Sequence, residues 1–267
     1  MTDTTIDPTR GFVSTATYPD LKGKVAVVTG GSRGIGAATG VALGANGALV
    51  AVVGRDRDAL DRTVEAVTAK GAHAIGVVAD STDEEQLAAL RRTVIDQLGP
   101  VDILAVFAGG NGMPVPTREE TVEHWRDVVE SNLNSTFLTV SAFLPDMLDR
   151  HCGVIITMAF AAARQAAKSS AAYAASKAGV IAFSRHLAGE YAHEGIRINC
   201  IAPSAIENDK MRSWVPEEQR RALGEAFPLG RLGQPEDVAA ATLFLASSAS
   251  SWITGTTLDI AGGKVML

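Results

Sequence analysis

The chain has 267 residues, 46% of them hydrophobic, and a formal net charge of -6; that length suits one large α/β domain or two small ones and buries a core without staples. A mildly acidic balance gives no reason to expect nucleic acid or an anionic membrane as partner, and Cys152 and Cys200 read as unlinked thiols of a reduced compartment rather than a disulfide framework. No apolar run reaches transmembrane length, and the polar stretch over 1–20 lacks the regions of a signal peptide, so it is expected to be a flexible extension of a cytoplasmic protein.

From residue 21 onward, short apolar runs alternate with helix-compatible stretches. Residues 25–28 form the first strand candidate, followed by the turn Thr29-Gly30-Gly31-Ser32-Arg33-Gly34-Ile35-Gly36 and a helix over 35–46. Strands are expected next at 49–53 and 74–78, with helices at 57–70 and 84–98. A strand at 103–107 leads into the turn-rich segment 110–117. That segment should border a pocket, because ligands bind beyond the carboxyl ends of such strands. Strands at 154–157 and 197–201 flank Tyr173 and Lys177, and a last strand is expected at 257–260. Residues 204–234 contain no clear strand but carry Met211, Trp214, Val215, Leu223 and Phe227, which suggests a helical excursion with one apolar face, usable as a lid. Strand–helix alternation implies βαβ units, and continuous apolar strands imply a sheet covered on both faces. The fold class is therefore α/β, with a doubly wound, mostly parallel sheet.

Two constellations carry chemistry. Glycines directly after the first strand and before a helix let backbone N–H groups approach a pyrophosphate at the helix N-terminus. Tyr173 and Lys177 stand at i and i+4, so on a helix they share one face. A neighbouring cation favours phenolate, and the spacing predicts a lowered tyrosine pKa and a proton donor or acceptor suited to near-neutral pH.

The Gly-x-x-x-Gly-x-Gly spacing over 30–36, together with Tyr173 and Lys177, resembles the short-chain dehydrogenase/reductase (SDR) family, and the resemblance covers about residues 21–263. Asp80 matches the family's adenine-contacting Asp, Asn132 its helix asparagine, and Pro203 the start of the segment that covers the nicotinamide. Residues 231–237, from Arg231 to Asp237, match a C-terminal signature, as do Ile253-Thr254-Gly255 and Ala261-Gly262-Gly263. The resemblance implies one Rossmann-fold domain over 21–267 with a substrate lid at 204–230. It also implies hydride exchange with a nicotinamide cofactor, and a homotetramer (or homodimer) with dimer contacts through the helix bearing Tyr173. Tyr173 is the implied general acid/base. Lys177 would lower its pKa and bind the nicotinamide ribose, and Asn132 would hold a water linking Lys177 to solvent. Cofactor contacts are implied for Gly30, Ser32, Arg33, Gly34, Ile35, Gly36, Arg55, Asp80, Ser81, Ala108, Gly109, Tyr173, Lys177, Pro203 and Ile206.

Charge argues for the form of the cofactor. A carboxylate near the end of the second strand reads the ribose 2′-OH of NAD, whereas arginine reads a 2′-phosphate. Gly54 stands where NAD-preferring relatives carry Asp, and Arg55 follows; Arg33 adds a second cation. NADP(H) is expected, tempered by Asp56.

The chain also departs from the family's pattern. Thirteen residues before Tyr173, where a serine usually bonds the substrate oxygen, stands Phe160. Ala159 and Ala161 offer no hydroxyl, and the nearest candidates are Thr157, Ser169 and Ser170. Val106-Phe107-Ala108-Gly109 replaces Asn-Asn-Ala-Gly, which reads as a different core solution, and Ser204 and Asn208 replace Gly and Thr. Removing one preorganised donor typically costs about 10²–10³ in rate. An imine needs no second donor, and an aromatic face attracts a cationic carbon–nitrogen centre by about 0.5–2 kcal/mol. The expected function is therefore NADP(H)-dependent hydride transfer to or from a carbonyl or C=N substrate, in an apolar pocket shaped by Phe160, Met158 and Trp214. The alternatives are a carbonyl reductase inactivated at the serine position, a cyclase or isomerase on the same fold, and a binding-only protein. His73, His124, His151, His186 and His193 show no metal-ligand spacing.

Overall fold

The computed structural model describes residues 16–110, 112, 114–166 and 168–266. β1 (Val25–Thr29) is buried along its whole length, as a valine-rich strand covered on both faces must be. It is followed by α1 (Gly34–Ala45), β2 (Leu49–Gly54), α2 (Arg57–Thr68), β3 (Ala74–Val78), α3 (Glu84–Leu98) and β4 (Ile103–Val106). Next come α4 (Val122–Val129), a π-helical turn (Glu130–Asn134), α5 (Ser135–Asp149), β5 (Gly153–Met158), α6 (Ala171–Tyr191) and β6 (Ile196–Pro203). The chain closes with α7 (Asp209–Trp214), α8 (Glu217–Glu225), α9 (Pro235–Ala246) and β7 (Thr257–Ile260).

The strands pair in parallel, in the order β3-β2-β1-β4-β5-β6-β7. The chain reverses its direction of travel between β1 and β4, and ligands of such sheets bind in the crevice at that point. Alternation along each strand divides the core into two layers. Val27, Val53, Leu104, Ile155 and Ile198 pack with Leu87 and Val94 of α3 and Phe143 and Met147 of α5. Val28, Val52, Ile156 and Ile201 pack with Leu43 of α1, Leu60 of α2 and Leu243 of α9. Each fully buried Leu or Ile contributes about 1.5–3 kcal/mol.

The expected strands and helices are all present, with ends shifted by a residue or two. The 204–234 interval holds α7 and α8. Of the expected extension over 1–20, residues 1–15 lie outside the described residues. Residues 16–20 contact the body: Asn46 accepts from Tyr18 N and donates to the Ala16 carbonyl, and Asp20 accepts from Ser248 N. Cys152 and Cys200 are both free. Among the described residues no helix is long and apolar enough to cross a membrane.

Helix starts differ in how they are capped. Asp56, Asp83, Thr121 and Ser170 cap α2, α3, α4 and α6 with side-chain oxygens, each satisfying an N–H that the helix itself cannot. α1 begins at Arg33 with no side-chain cap.

Candidate active site

The turn between β1 and α1 is compressed. Gly30 has φ +64°, and a Cβ there would lie 2.8 Å from the Phe107 carbonyl oxygen; at Gly36 it would lie 2.1 Å from the Gly30 oxygen. Only glycine allows this backbone to fold against β4 and on itself. Beyond it, α1 starts without a side-chain cap, with the positive end of its helix dipole at this turn. These residues fit the pyrophosphate of a dinucleotide.

The cations around this turn are already paired. Arg33 binds Asp56 directly, and Arg55 Nη1 lies 3.5 Å from Asp80 Oδ2. Arg33, together with the Ala59 N–H, holds the Asp56 carboxyl below the usual range. Asp80 is lowered first by the Thr82 N–H and further by the Thr82 hydroxyl and Arg55. Ser32, Arg33, Arg62 and Thr63 line a cleft of ≈ 200 Å³ between α1 and α2, which Asp209 of α7 also lines. Ser81 is buried beside this end. Ala108 N, just past β4, donates to Thr29 Oγ1.

At the other end of the crevice, α6 presents Tyr173 in its first turn, with the Tyr173 N–H bonded to Ser170 Oγ. Lys177, one turn on, is 4% exposed. Its Nζ donates to the Met158 carbonyl at 2.9 Å and lies 5.6 Å from the Tyr173 ring centre. The Phe160 ring stands 5.7 Å from the Tyr173 ring at 60°, in an apolar cluster with Val128, Ala162 and Ala172.

The electrostatics correct one expectation. Burial pushes the Tyr173 phenol up, not down, because desolvation penalises the charged phenolate. Burial also pushes Lys177 down, to about 8.

The other expected residues fall into place or out of it. Asn132 is fully buried in the π turn; its amide accepts from Gly110 N and donates to the Gly110 and Val128 carbonyls. It therefore anchors the start of the 110–117 segment, in which Asn111 and Met113 lie outside the described residues. Met158 reaches the site through its carbonyl, while its side chain packs on the α1 and α9 face of the sheet with Ile206, the consequence of strand alternation. Trp214, on six-residue α7, is 77% exposed, outside the apolar cluster that holds Phe160. Phe107 is buried, filling by packing the place of a polar side chain. Thr157 and Ser170 do not restore a hydroxyl. Thr157 is bonded to Ser184 in the core at 2.6 Å, and Ser170 is occupied as a cap. That cap escaped the sequence reading, although a serine three residues before the tyrosine has N-cap spacing. His124, His151, His186 and His193 each face a glutamate, and among the described residues no cluster could hold a metal.

Comparison with known proteins bears on this geometry. A family profile described as enoyl-(acyl carrier protein) reductase matches residues 30–264. The 3-oxoacyl-[acyl-carrier-protein] reductase of Salmonella typhimurium is 37% identical over 247 residues, 92% of this chain and 99% of its own. The 3β-hydroxysteroid dehydrogenase 1 of Eggerthella lenta is 39% identical over 252 residues, 93% and 96% of the two chains. A crystal structure of a 3-oxoacyl-[acyl-carrier protein] reductase with bound NAD, from Brucella melitensis, has a TM-score of 0.84 at 32% identity, covering 96% of each chain. A profile spanning most of the sequence, relatives matched along nearly their whole length and a shared sheet with a glycine-lined crevice lead to one conclusion: the chain belongs to the short-chain dehydrogenase/reductase family of nicotinamide-dependent oxidoreductases.

Proposed function

We propose that the protein is an NADP(H)-dependent oxidoreductase acting on a carbonyl or C=N substrate in an apolar pocket. The observation that carries this reading is the Phe160 ring packed against Tyr173. With Phe160 in place of a second donor, Tyr173 is the hydroxyl that acts at the reacting atom, and the substrate is one for which a single donor is enough. The cofactor, when bound, supplies or takes the hydride. Tyr173 moves the proton at the substrate heteroatom. A buried phenol that keeps its proton suits donation, hence reduction. Lys177, with a pKa near 8, exchanges its proton close to neutral pH and is the group that can resupply it. Asn132 shapes the pocket mouth through Gly110.

The aromatic wall favours an iminium carbon over a neutral ketone and keeps competing water away. Arg33 and Arg55 support a 2′-phosphate, which would exchange places with Asp56 and Asp80. The assembly implied by the resemblance fits a half-exposed Phe137 on α5 set edge-on to Phe183 of α6.

The test is NADPH and NADH oxidation against a panel of ketones and cyclic imines, with dinucleotide affinity measured separately. Turnover of imines ahead of ketones, with NADPH preferred, is expected. No turnover of either class despite tight NADPH binding overturns the reading.

A further inference from the structure

Beyond Pro203 the backbone is pinned. Ser204 N donates to the Ile260 carbonyl, Gly233 N to the Ala205 carbonyl, and Glu207 N to the Gly233 carbonyl at 2.8 Å; Ile206 and Gly233 form a β-bridge. The two helices after this anchor are held differently. α7 has six residues and α8 nine, both shorter than the roughly 12–15 residues a helix needs to stand alone in water. Trp214 and Leu223 are exposed, and among the described residues of this stretch Gly224 and the following Phe227 are the buried ones.

The polar ties between these helices converge on one carboxylate. Glu207 Oε1 accepts from Arg220 Nε at 2.9 Å. Glu207 Oε2 accepts from Gln234 Nε2 at 3.0 Å and lies 3.4 Å from Arg212 Nη2. Arg212 Nη2 also donates to Gln234 Oε1. Arg220 Nη1 donates to the Arg212 and Val215 carbonyls at the end of α7. Glu207 is therefore tied at once to α7, to α8 and to Gln234 at the head of α9. The Glu207 and Arg220 side chains are 15% and 19% exposed, so the pair is largely desolvated, and removing one partner strands the other. Glu207 also stands between Ile206 and Asn208, the side-chain cap of α7.

We infer that Glu207 is a positioning residue: a clasp that holds α7 and α8 as the roof of the substrate pocket and so sets substrate affinity. This rests on the reading of 204–230 as a lid over a hydride-transfer site. The carboxylate touches neither substrate nor cofactor; it acts through the helices it gathers. Without its charge, the ties to α7, α8 and α9 weaken together, and the roof opens as one piece.

The experiment compares the full-length protein with Glu207→Gln, Arg220→Met and the double variant, reading substrate KM, kcat, NADPH affinity, Tm and hydrogen exchange over 209–225. Each single variant is expected to raise substrate KM about tenfold, and the double variant no further, because both remove one shared interaction. NADPH affinity should hold while exchange over 209–225 quickens, and Tm should fall in each single variant and recover in the double, where neither charge of the pair is left stranded. An unchanged KM, additive effects, or a KM change matched by lost NADPH binding overturns the clasp. If the wild-type protein turns over neither ketones nor imines, the hydride-transfer reading fails, and hydrogen exchange alone decides: equal protection of 209–225 in wild type and Glu207→Gln overturns the clasp.

Discussion

Cations stand at both ends of the crevice, and they are solvated in opposite ways. Arg33 and Arg55 lie largely in water, each against a carboxylate that balances its charge. Lys177 is enclosed by protein, and its ammonium meets the Met158 carbonyl oxygen. In water a charge is stable and its partner is replaceable, since exposed pairs are worth little. Inside the protein the charge itself becomes adjustable, because burial brings its pKa within reach of physiological pH. On the proposed reading, the end that holds Arg33 and Arg55 serves exchange of ionic partners, and the end that holds Lys177 serves exchange of protons.

The sharpest break would come from Lys177→Met. Activity is expected to fall by about 10²–10⁴, the usual worth of acid–base assistance. The same change should stabilise the ligand-free protein by about 1–3 kcal/mol at pH 7, because a buried ammonium is costly. The pH dependence has a definite sign. Above about 8 the native lysine gives up its proton while the unfolded one keeps it to about 10.4. The unfolded state then binds more protons, and wild-type stability rises with pH across that window. The advantage of Lys177→Met should therefore shrink between pH 8 and 10, as urea unfolding can measure. Destabilisation at pH 7 would break the comparison at its buried end.

A smaller effect separates substrates. Phe160→Ser is expected to raise ketone reduction about tenfold or more by restoring a donor, while imine reduction stays level or falls. Steady-state rates on matched ketone and imine substrates measure it. An unchanged ketone rate would mean that the ring does not occupy the place of a second donor.

The smallest effect belongs to the exposed end. Asp56→Asn keeps the cap on α2 but frees Arg33, and should shift the NADPH-to-NADH affinity ratio by about fivefold or less, the scale of a surface ion pair. Fluorescence titration at two salt concentrations checks this, since the gain should fade as salt screens it. Equal changes for both dinucleotides would mean that Arg33 does not read the 2′-phosphate.

Legibility in the sequence divides in the same way, between neighbours and environment. β1 and β2 are apolar along their length because both their faces are covered, so their existence could be read directly. The i, i+4 placement of Tyr173 and Lys177 was equally plain. The direction of the Tyr173 shift was not, because spacing reports proximity and says nothing of desolvation, which here dominates. The bond from Arg33 to Asp56 joins residues 23 positions apart and needs the turn and β2 in place before it exists. The exposure of Trp214 was not legible either, because an apolar residue on a short helix carries no mark of the face it will show. Glu207 gave no signal, since its partners come from three separate elements.

The π turn at Glu130–Asn134 bears on which changes of length the protein tolerates. α4, this turn and α5 run on as one rod from Val122 to Asp149, with Val128 set beside Tyr173 at one end and Phe143 and Met147 in the core at the other. The widened turn fixes the rotational phase between the two ends. Each residue of a helix turns it by about 100°. Deleting one residue within 130–134 would leave a smoother helix, but would swing either Val128 off the tyrosine or Phe143 out of the core. Descendants of this sequence can exchange side chains along the rod far more readily than they can shorten it.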